Sequence, residues 1–355
     1  MNEEKLLSII IPSYNMEKFL RRCLDRLIIG SDQMEWIDVL IVNDGSTDST
    51  SAIGHEYESK YPGIFRVIDK PNGHYGSCIN AALKVALGKY IRILDADDYF
   101  DTKAFTSYLN ALSRIDVDLV VTDFTQVDPD GHVVSRTVYQ SLKTETVIRI
   151  EDTELPVLMM HAMTYRTALV RKVGYRQTEG ILYTDMEWSF IPLLDAVTIY
   201  YVHQNVYQYL VGREGQSVSK ELEQKMMPHR MQVLQNVLHA FLGNHRNTKL
   251  ESLKEPMRNT AVNIYLMIII NGEGNEDNQK LLKDFDENLK GVFPRLYDYL
   301  GRFYIRIFCF RYKIINRWRA GKLMDVNRLH FFIKLDNLYL AFCYKCKMIW
   351  HKIWK

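Results

Sequence analysis

Gly88-Lys-Tyr-Ile-Arg-Ile-Leu-Asp-Ala-Asp-Asp98 is the stretch on which the reading of this sequence turns. Tyr90 to Leu94 is a short apolar, β-rich run, as expected of a buried strand. It ends in three carboxylates, Asp95, Asp97 and Asp98. Carboxylates this close repel one another unless positive charge sits among them. Hard oxygen ligands suit Mg2+ or Mn2+, and such sites commonly combine one or two carboxylates with phosphate groups of a substrate. A polar turn in which Asp98 or Asp101 caps the next helix is the alternative for an isolated triplet.

Working outward, the pattern alternates strands with helices. Residues 6–11 form an apolar run stopped by Pro12, and Met16 to Ile29 carries apolar residues at helical spacing. Residues 36–42 and 65–69 read as strands, and Gly76 to Leu87 as a helix. This alternation predicts a Rossmann-like, mostly parallel α/β sheet flanked by helices. In such sheets ligands bind beyond the C-terminal ends of the strands. Ser13-Tyr14-Asn15, Asn43-Asp44-Gly45-Ser46 and Asp95-Ala96-Asp97-Asp98 all fall there. Further on, Thr102 to Leu112 reads as a helix, 117–122 as a strand, 132–149 as a hairpin, Thr184 to Leu194 as a helix and 197–211 as an aromatic strand. From about Lys220 the pattern turns helical, which predicts two regions, 1–220 and 221–355.

Four segments taken in order resemble the nucleotide-sugar domain of family 2 glycosyltransferases, which adopt the GT-A fold. They are Ser8-Ile-Ile-Ile-Pro-Ser-Tyr-Asn15, Val42-Asn-Asp-Gly-Ser-Thr-Asp-Ser-Thr50, Asn72-Gly-His-Tyr-Gly-Ser-Cys-Ile-Asn80 and the stretch ending at Asp98. The resemblance covers the first 125 residues closely and continues in less detail to about residue 219. It implies an inverting, metal-dependent hexosyltransferase that uses a UDP-sugar and a saccharide or lipid-linked acceptor in cell-surface polysaccharide synthesis.

The resemblance also implies roles for individual residues. Pro12 and Tyr14 shape the base pocket. Asp44 accepts the uracil N–H, which selects uridine over cytidine. Asn72, Gly76 and Asn80 lie near the nucleotide and fix its loop. Asp97 is the main ligand of Mg2+ or Mn2+, and Asp95 touches ribose or metal. Asp185 is the catalytic base that takes the acceptor proton, with Glu187 as runner-up. Arg213, in Arg-Glu-Gly-Gln-Ser217, faces the diphosphate. The sequence departs from the family pattern at Ile79, where many relatives carry Arg, and at Thr184, where they carry Glu. His161 and His203 read as packed histidines.

The chain has 355 residues, is 47% hydrophobic and carries a net charge of +2. Five scattered cysteines and a short polar start lead us to expect a reduced, cytoplasmic protein without a secretory signal. The lone pair Cys343 and Cys346 lacks the second ligand pair that a zinc site usually needs. No apolar run reaches the length of a membrane span. Residues 301–355 hold thirteen Lys and Arg against two Asp, a surplus of eleven that leaves residues 1–300 at −9. Apolar residues from Leu335 to Ile353 recur at helical spacing beside lysines. A basic, aromatic amphipathic helix suits peripheral contact with the anionic inner face of the cell membrane; packing on the catalytic domain is the alternative. No recognised motif points to nucleic acid. Other classes remain in play: a nucleotidyltransferase on a related sheet, or a non-catalytic polysaccharide- or membrane-binding module. The first lacks the Gly-rich basic loop expected after strand one, and the second would have lost Asp97 or Asp185.

Overall fold

A computed structural model describes residues 5–213, 225–243, 251–271, 276–301, 310–322, 331 and 334. The chain divides into two units. One comprises Met1–Ser219 and Gln235–Lys254, the other Lys220–Leu234 and Glu255–Lys355. One division point falls beside the expected boundary at 220, but Gln235–Lys254 groups with the first unit, so neither unit is one continuous segment.

The first unit is built on β1 (Leu7–Ser13), β2 (Ile37–Asn43), β3 (Phe65–Asp69) and β4 (Tyr90–Ile93), which lie side by side in parallel in the order β3-β2-β1-β4. Every residue of β1 and β2 is buried, as expected for parallel strands covered on both faces. Helices α1 (Leu20–Asp25), α2 (Ser31–Met34), α3 (Thr50–Lys60) and α4 (His74–Val85) connect them. The long helix expected from Met16 to Ile29 is only the six residues of α1, and Ser31 starts the separate α2.

Beyond β4 the sheet becomes mixed. β5 (Tyr99–Phe100) follows the acidic loop directly and leads into α5 (Thr102–Leu112), whose N-terminus is capped by the Asp101 carboxylate accepting the Ala104 N–H at 2.8 Å. β6 (Leu119–Val127) then runs parallel to β10 (Thr198–Leu210), and β5 pairs antiparallel to β10. β9 (Met163–Arg166) fills the gap between β4 and β6, antiparallel to both. The expected hairpin over 132–149 does not form. β7 (Val133–Thr137) pairs with β6, and β8 (Val147–Arg149) pairs with β10, because each finds a longer strand edge than the other could offer. Helices α6 (Thr167–Lys172) and α7 (Asp185–Phe190) complete this part, and α7 stops short of the expected Leu194 at Pro192, which begins a 3-10 turn.

The remaining helices are α8 (Met227–Gly243), α9 (Glu251–Asn271), α10 (Glu276–Val292), α11 (Pro294–Gly301) and α12 (Phe310–Arg319). Within the second unit, Tyr265 packs its ring against Phe285 and Trp318, while Arg319 pairs with Asp286 at 2.8 Å and lies 3.7 Å over the Tyr297 ring. No helix among the described residues is long and apolar enough to cross a membrane. The amphipathic segment read from Leu335 to Ile353 lies outside the described residues.

A buried polar knot fixes the parallel half. Asp38 is fully buried and accepts Ser8 Oγ at 2.7 Å, Arg66 Nε at 2.8 Å and the Leu87 N–H at 3.0 Å. Ser8 Oγ in turn accepts the Gly88 N–H at 2.8 Å. Four chain segments therefore meet on one carboxylate, at the entrance to β4. Removing one partner of a buried ion pair costs about 3–5 kcal/mol, because the other charge is left uncompensated. Asp38→Ala is expected to lower stability by about 3 kcal/mol or more in urea denaturation; a change of under about 0.5 kcal/mol, typical of a surface site, would show that the knot is not structural.

Candidate active site

The C-terminal ends of β1, β2 and β4 open onto a cavity of about 420 Å3. Pro12, Tyr14, Asp44, Asn72, Asp95, Asp97 and Arg213 all line it, together with His74, Tyr75, Leu182 and Tyr209. Tyr14 is 48% exposed, so its ring is available at the cavity mouth. Three of the four non-glycine residues with positive φ, Asn15, His74 and Tyr183, stand in or beside this cavity. Such backbone conformations persist only where the surroundings enforce them, and they gather at functional sites. At Asn15 the enforcement is visible: its N–H donates to Ser46 Oγ at 3.0 Å and its Oδ1 accepts the Thr47 N–H at 2.9 Å, which ties the end of β1 to the turn after β2.

Asp44 is buried and held from one side. Its Oδ1 accepts Lys70 Nζ and the Gly73 N–H, the latter at 3.0 Å, and Lys70 also donates to Ser77 Oγ at 2.7 Å. Sequence reasoning passed over Lys70. The signal was there: β2 and β3 pair with Asn43 opposite Asp69, so the next residues, Asp44 and Lys70, leave the sheet side by side.

The acidic loop is more crowded. Asp95 accepts the Tyr75 hydroxyl at 2.7 Å. Asp97 pairs through Oδ2 with Arg213 Nε at 2.6 Å, and its backbone carbonyl accepts Arg22 at 2.8 Å. Asp98 is fully buried and accepts the Tyr207 hydroxyl at 2.6 Å and the Leu210 N–H at 2.7 Å. The same Tyr207 oxygen accepts the Asp95 N–H at 3.1 Å. The β6–β10 register shifts twice between Val202 and Tyr207. Irregularities of this kind re-aim side chains next to active sites, here on the strand that brings Tyr207 and Leu210 to the acidic loop. Burial, then repulsion from Asp97, pushes Asp95 up to about 7. Burial, then Asp97 and Asp95, holds Asp98 well above the usual carboxylate range.

Two expected site residues act on the backbone. A Cβ on Gly76 would lie 2.0 Å from the Thr178 carbonyl oxygen, so glycine lets α4 pass against that loop. Asn80 accepts the Gln177 N–H at 2.9 Å and donates to the Gln177 carbonyl and to Glu179, both at 2.8 Å. It fixes the 177–179 loop and is not among the residues lining the cavity.

Asp185 opens α7 and is exposed. Its charge reaches Asp95, Tyr75 and Tyr209, raising the proton affinity of all three. Glu187, two residues on, is buried: it accepts the Thr178 N–H and hydroxyl, both at 2.7 Å, and Asn236 Nδ2 at 2.9 Å. Its carboxylate is thus engaged in holding the loop together. Thr184 is buried, with its hydroxyl accepting Gln177 Nε2 at 2.8 Å. His161 packs as expected, stacked on Tyr209 at 4.4 Å, and burial with Arg92 nearby pushes its imidazole down to about 3. His203 does not: its side chain is 62% exposed and pairs with Asp123 at 2.7 Å, because β10 turns it out of the core.

Residues 8–174 match the family model for glycosyl transferase family 2. The chain is 41% identical over 107 residues to an uncharacterized glycosyltransferase, the MG025 homolog of Mycoplasma pneumoniae, covering 30% of this chain and 36% of that protein. It is 27% identical over 217 residues to the poly(ribitol-phosphate) beta-glucosyltransferase of Bacillus spizizenii, covering 60% and 33%. Among solved structures, S. aureus TarS 1-349 superposes with a TM-score of 0.56 at 17% identity, covering 89% of this chain and 92% of that one. The matched regions span about a third of the length of these two curated relatives. Residues 8–174 thus match glycosyl transferase family 2, and the sheet they build is of the GT-A type.

The raised Asp95 value has a thermodynamic consequence. The carboxyl binds its proton more tightly folded than unfolded, so its contribution to stability is present below about pH 4 and is lost as pH rises through about 7. Between about pH 5 and pH 8, the metal-free protein is expected to lose more stability than Asp95→Asn does. Added Mn2+ should raise Tm more at the higher pH. Parallel pH curves for the two proteins would count against the crowded-carboxylate reading.

Proposed function

We propose that this chain transfers a hexose-type sugar from a UDP-sugar to a hydroxyl of a saccharide or lipid-linked acceptor, with inversion at the anomeric carbon, in surface polysaccharide assembly. The observation that carries this reading is the cavity itself. A rigidly held Asp44, the Asp95–Asp97 pair and Arg213 line one hollow, and the charge of Asp185 reaches it while Glu187 is engaged elsewhere. The likeness to TarS supports a uridine donor, since that protein is seen with UDP-GlcNAc and with UDP. Relatives named for poly(ribitol-phosphate) and hyaluronan support a polymeric acceptor.

Each residue has a task in this reading. Tyr14 offers its ring to the base, and Asp44 accepts the uracil N–H. Asp95 and Asp98, both with raised proton affinity, lie beside Asp97, and together they form a donor set that fits Mg2+ or Mn2+ at the Asp95-Ala96-Asp97 triplet. When bound, the cation supplies positive charge to the diphosphate as it leaves. Arg213 adds a second positive group beside the same oxygens. Asp185 takes the proton of the acceptor hydroxyl as its oxygen forms the new bond and the bond to the diphosphate breaks. A single displacement of this kind needs no covalent intermediate. The basic, aromatic segment 301–355 would bring a lipid-linked acceptor's membrane within reach.

The test is UDP release and product formation across a panel of nucleotide-sugars. One UDP-sugar is expected to react, and EDTA to abolish the reaction. Asp185→Asn is expected to bind UDP as the wild type does while transferring about 10²–10⁴-fold more slowly; normal transfer by this variant would remove Asp185 from the mechanism. For the basic segment, the full chain is expected to sediment with anionic vesicles and stay in solution with neutral ones. Equal behaviour with both would reject the membrane contact.

A further inference from the structure

The segment between α6 and α7 carries the chain from the wall of the cavity to Asp185, and it is fastened at both ends. Against α4, the Gly180 N–H donates to the Gly73 carbonyl at 2.9 Å, while the Gly73 N–H reaches Asp44. Gly76 lets the Thr178 carbonyl come close, and the Asn80 amide pairs with both backbone groups of Gln177. Leu182 then lines the cavity, and Tyr183 stands at φ 64° two residues before Asp185. A bulky residue keeps that conformation only where its neighbours enforce it. Fully buried Gln177 is one such neighbour. Its Nε2 donates to the Thr184 carbonyl at 3.1 Å and hydroxyl at 2.8 Å, and its Oε1 accepts the Tyr175 hydroxyl at 3.0 Å.

The second fastening is a carboxylate. Glu187 is 1% exposed, and both of its oxygens are used. Oε2 accepts the Thr178 N–H and Oε1 the Thr178 hydroxyl, each at 2.7 Å. Asn236 Nδ2 donates to the same Oε1 at 2.9 Å and to Thr178 Oγ1 at 2.7 Å. Burying a charge is unfavourable unless hydrogen bonds answer it. The Glu187 carboxylate therefore favours the one arrangement that lays Thr178 on the first turn of α7. Asp185 and Glu187 share that turn, and helical residues two apart do not face the same way. One carboxylate is turned in to the loop, and the other stands at the exposed head of the helix.

We propose that Glu187 is a positioning residue: its buried carboxylate clamps Thr178 to α7 and thereby sets Asp185 against the bound donor. The inference rests on the reading of Asp185 as the base. A base must meet the acceptor hydroxyl at hydrogen-bond distance, and a misplacement of about 1 Å can cost about 10²-fold in rate. The contacts at Gly73 and Gln177 place the loop relative to α4, and Glu187 places α7 relative to the loop. Asn236 closes the arrangement from α8.

A double-mutant cycle in the full chain separates this role from general support of the fold. The readouts are turnover of the UDP-sugar that reacts and the affinity for UDP. Glu187→Gln puts an amide donor where an acceptor oxygen is needed. It is expected to slow turnover about 10–100-fold while changing UDP affinity by less than about threefold. On the Asp185→Asn background the same substitution is expected to cost less than about threefold, because no base is left to misplace. Asn236→Ala removes one donor and leaves the carboxylate. It should repeat the pattern with a smaller loss, and it carries the test if Glu187→Gln does not fold. Equal losses on both backgrounds, a fall in UDP affinity that matches the fall in turnover, or wild-type turnover overturns the positioning role and leaves the reading of Asp185 intact. Full turnover by Asp185→Asn, or none by the wild type with any UDP-sugar, overturns both.

Discussion

Three carboxylates at the end of one buried strand cannot all carry charge unless the surrounding fold answers them. Much of what is distinctive in the first unit is that answer. Tyr75 reaches Asp95 from α4, Arg213 reaches Asp97 from beyond β10, and Tyr207 and the Leu210 N–H reach Asp98 from the end of β10. The donors come from two distant parts of the chain, α4 and residues 207–213, so the repulsion within Asp95–Asp98 bears on where distant elements must lie. The irregular β6–β10 register belongs to the same constraint. A uniformly paired β10 would alternate its side chains strictly, with no freedom to re-aim Tyr207 and still present Leu210 to Asp98.

The parallel half of the sheet was legible because its strands are apolar runs that end abruptly in polar residues. Periodicity and strand ends placed Tyr14, Asp44, Asp95 and Asp97 together, and all four line one cavity. The second half was harder to read. Residues 132–149 alternate like a hairpin, but alternation says only that a strand has two faces, not which neighbour it takes. Both segments found other partners.

The site was legible where a residue acts through its own side chain at a strand end. It was obscure where roles depend on tertiary neighbours. Lys70, Tyr75 and Tyr207 have no local signature, since a lysine or tyrosine in a strand or helix usually faces solvent or core. Their meaning comes from the carboxylates they meet. Asp185 and Glu187 make the same point in reverse. Sequence alone leaves both as candidates for the base. They differ in burial, since Glu187 is buried and bonded to Thr178 and Asn236 while Asp185 is exposed at the head of α7, a difference that supports Asp185 as the proposed base.

That pair of contacts from Asn236 reaches beyond the site. Asn236 lies 26 residues past the end of the sheet's last strand, in α8, yet it completes the hydrogen bonding of the loop that precedes the proposed base. The family match ends at residue 174, well before it. A recombination event that grafted a new C-terminal region at residue 220 would inherit every wall of the cavity and still lose one brace of its reacting edge. Such junctions should therefore be selected further downstream, so that the piece exchanged between relatives is longer than the piece their motifs define.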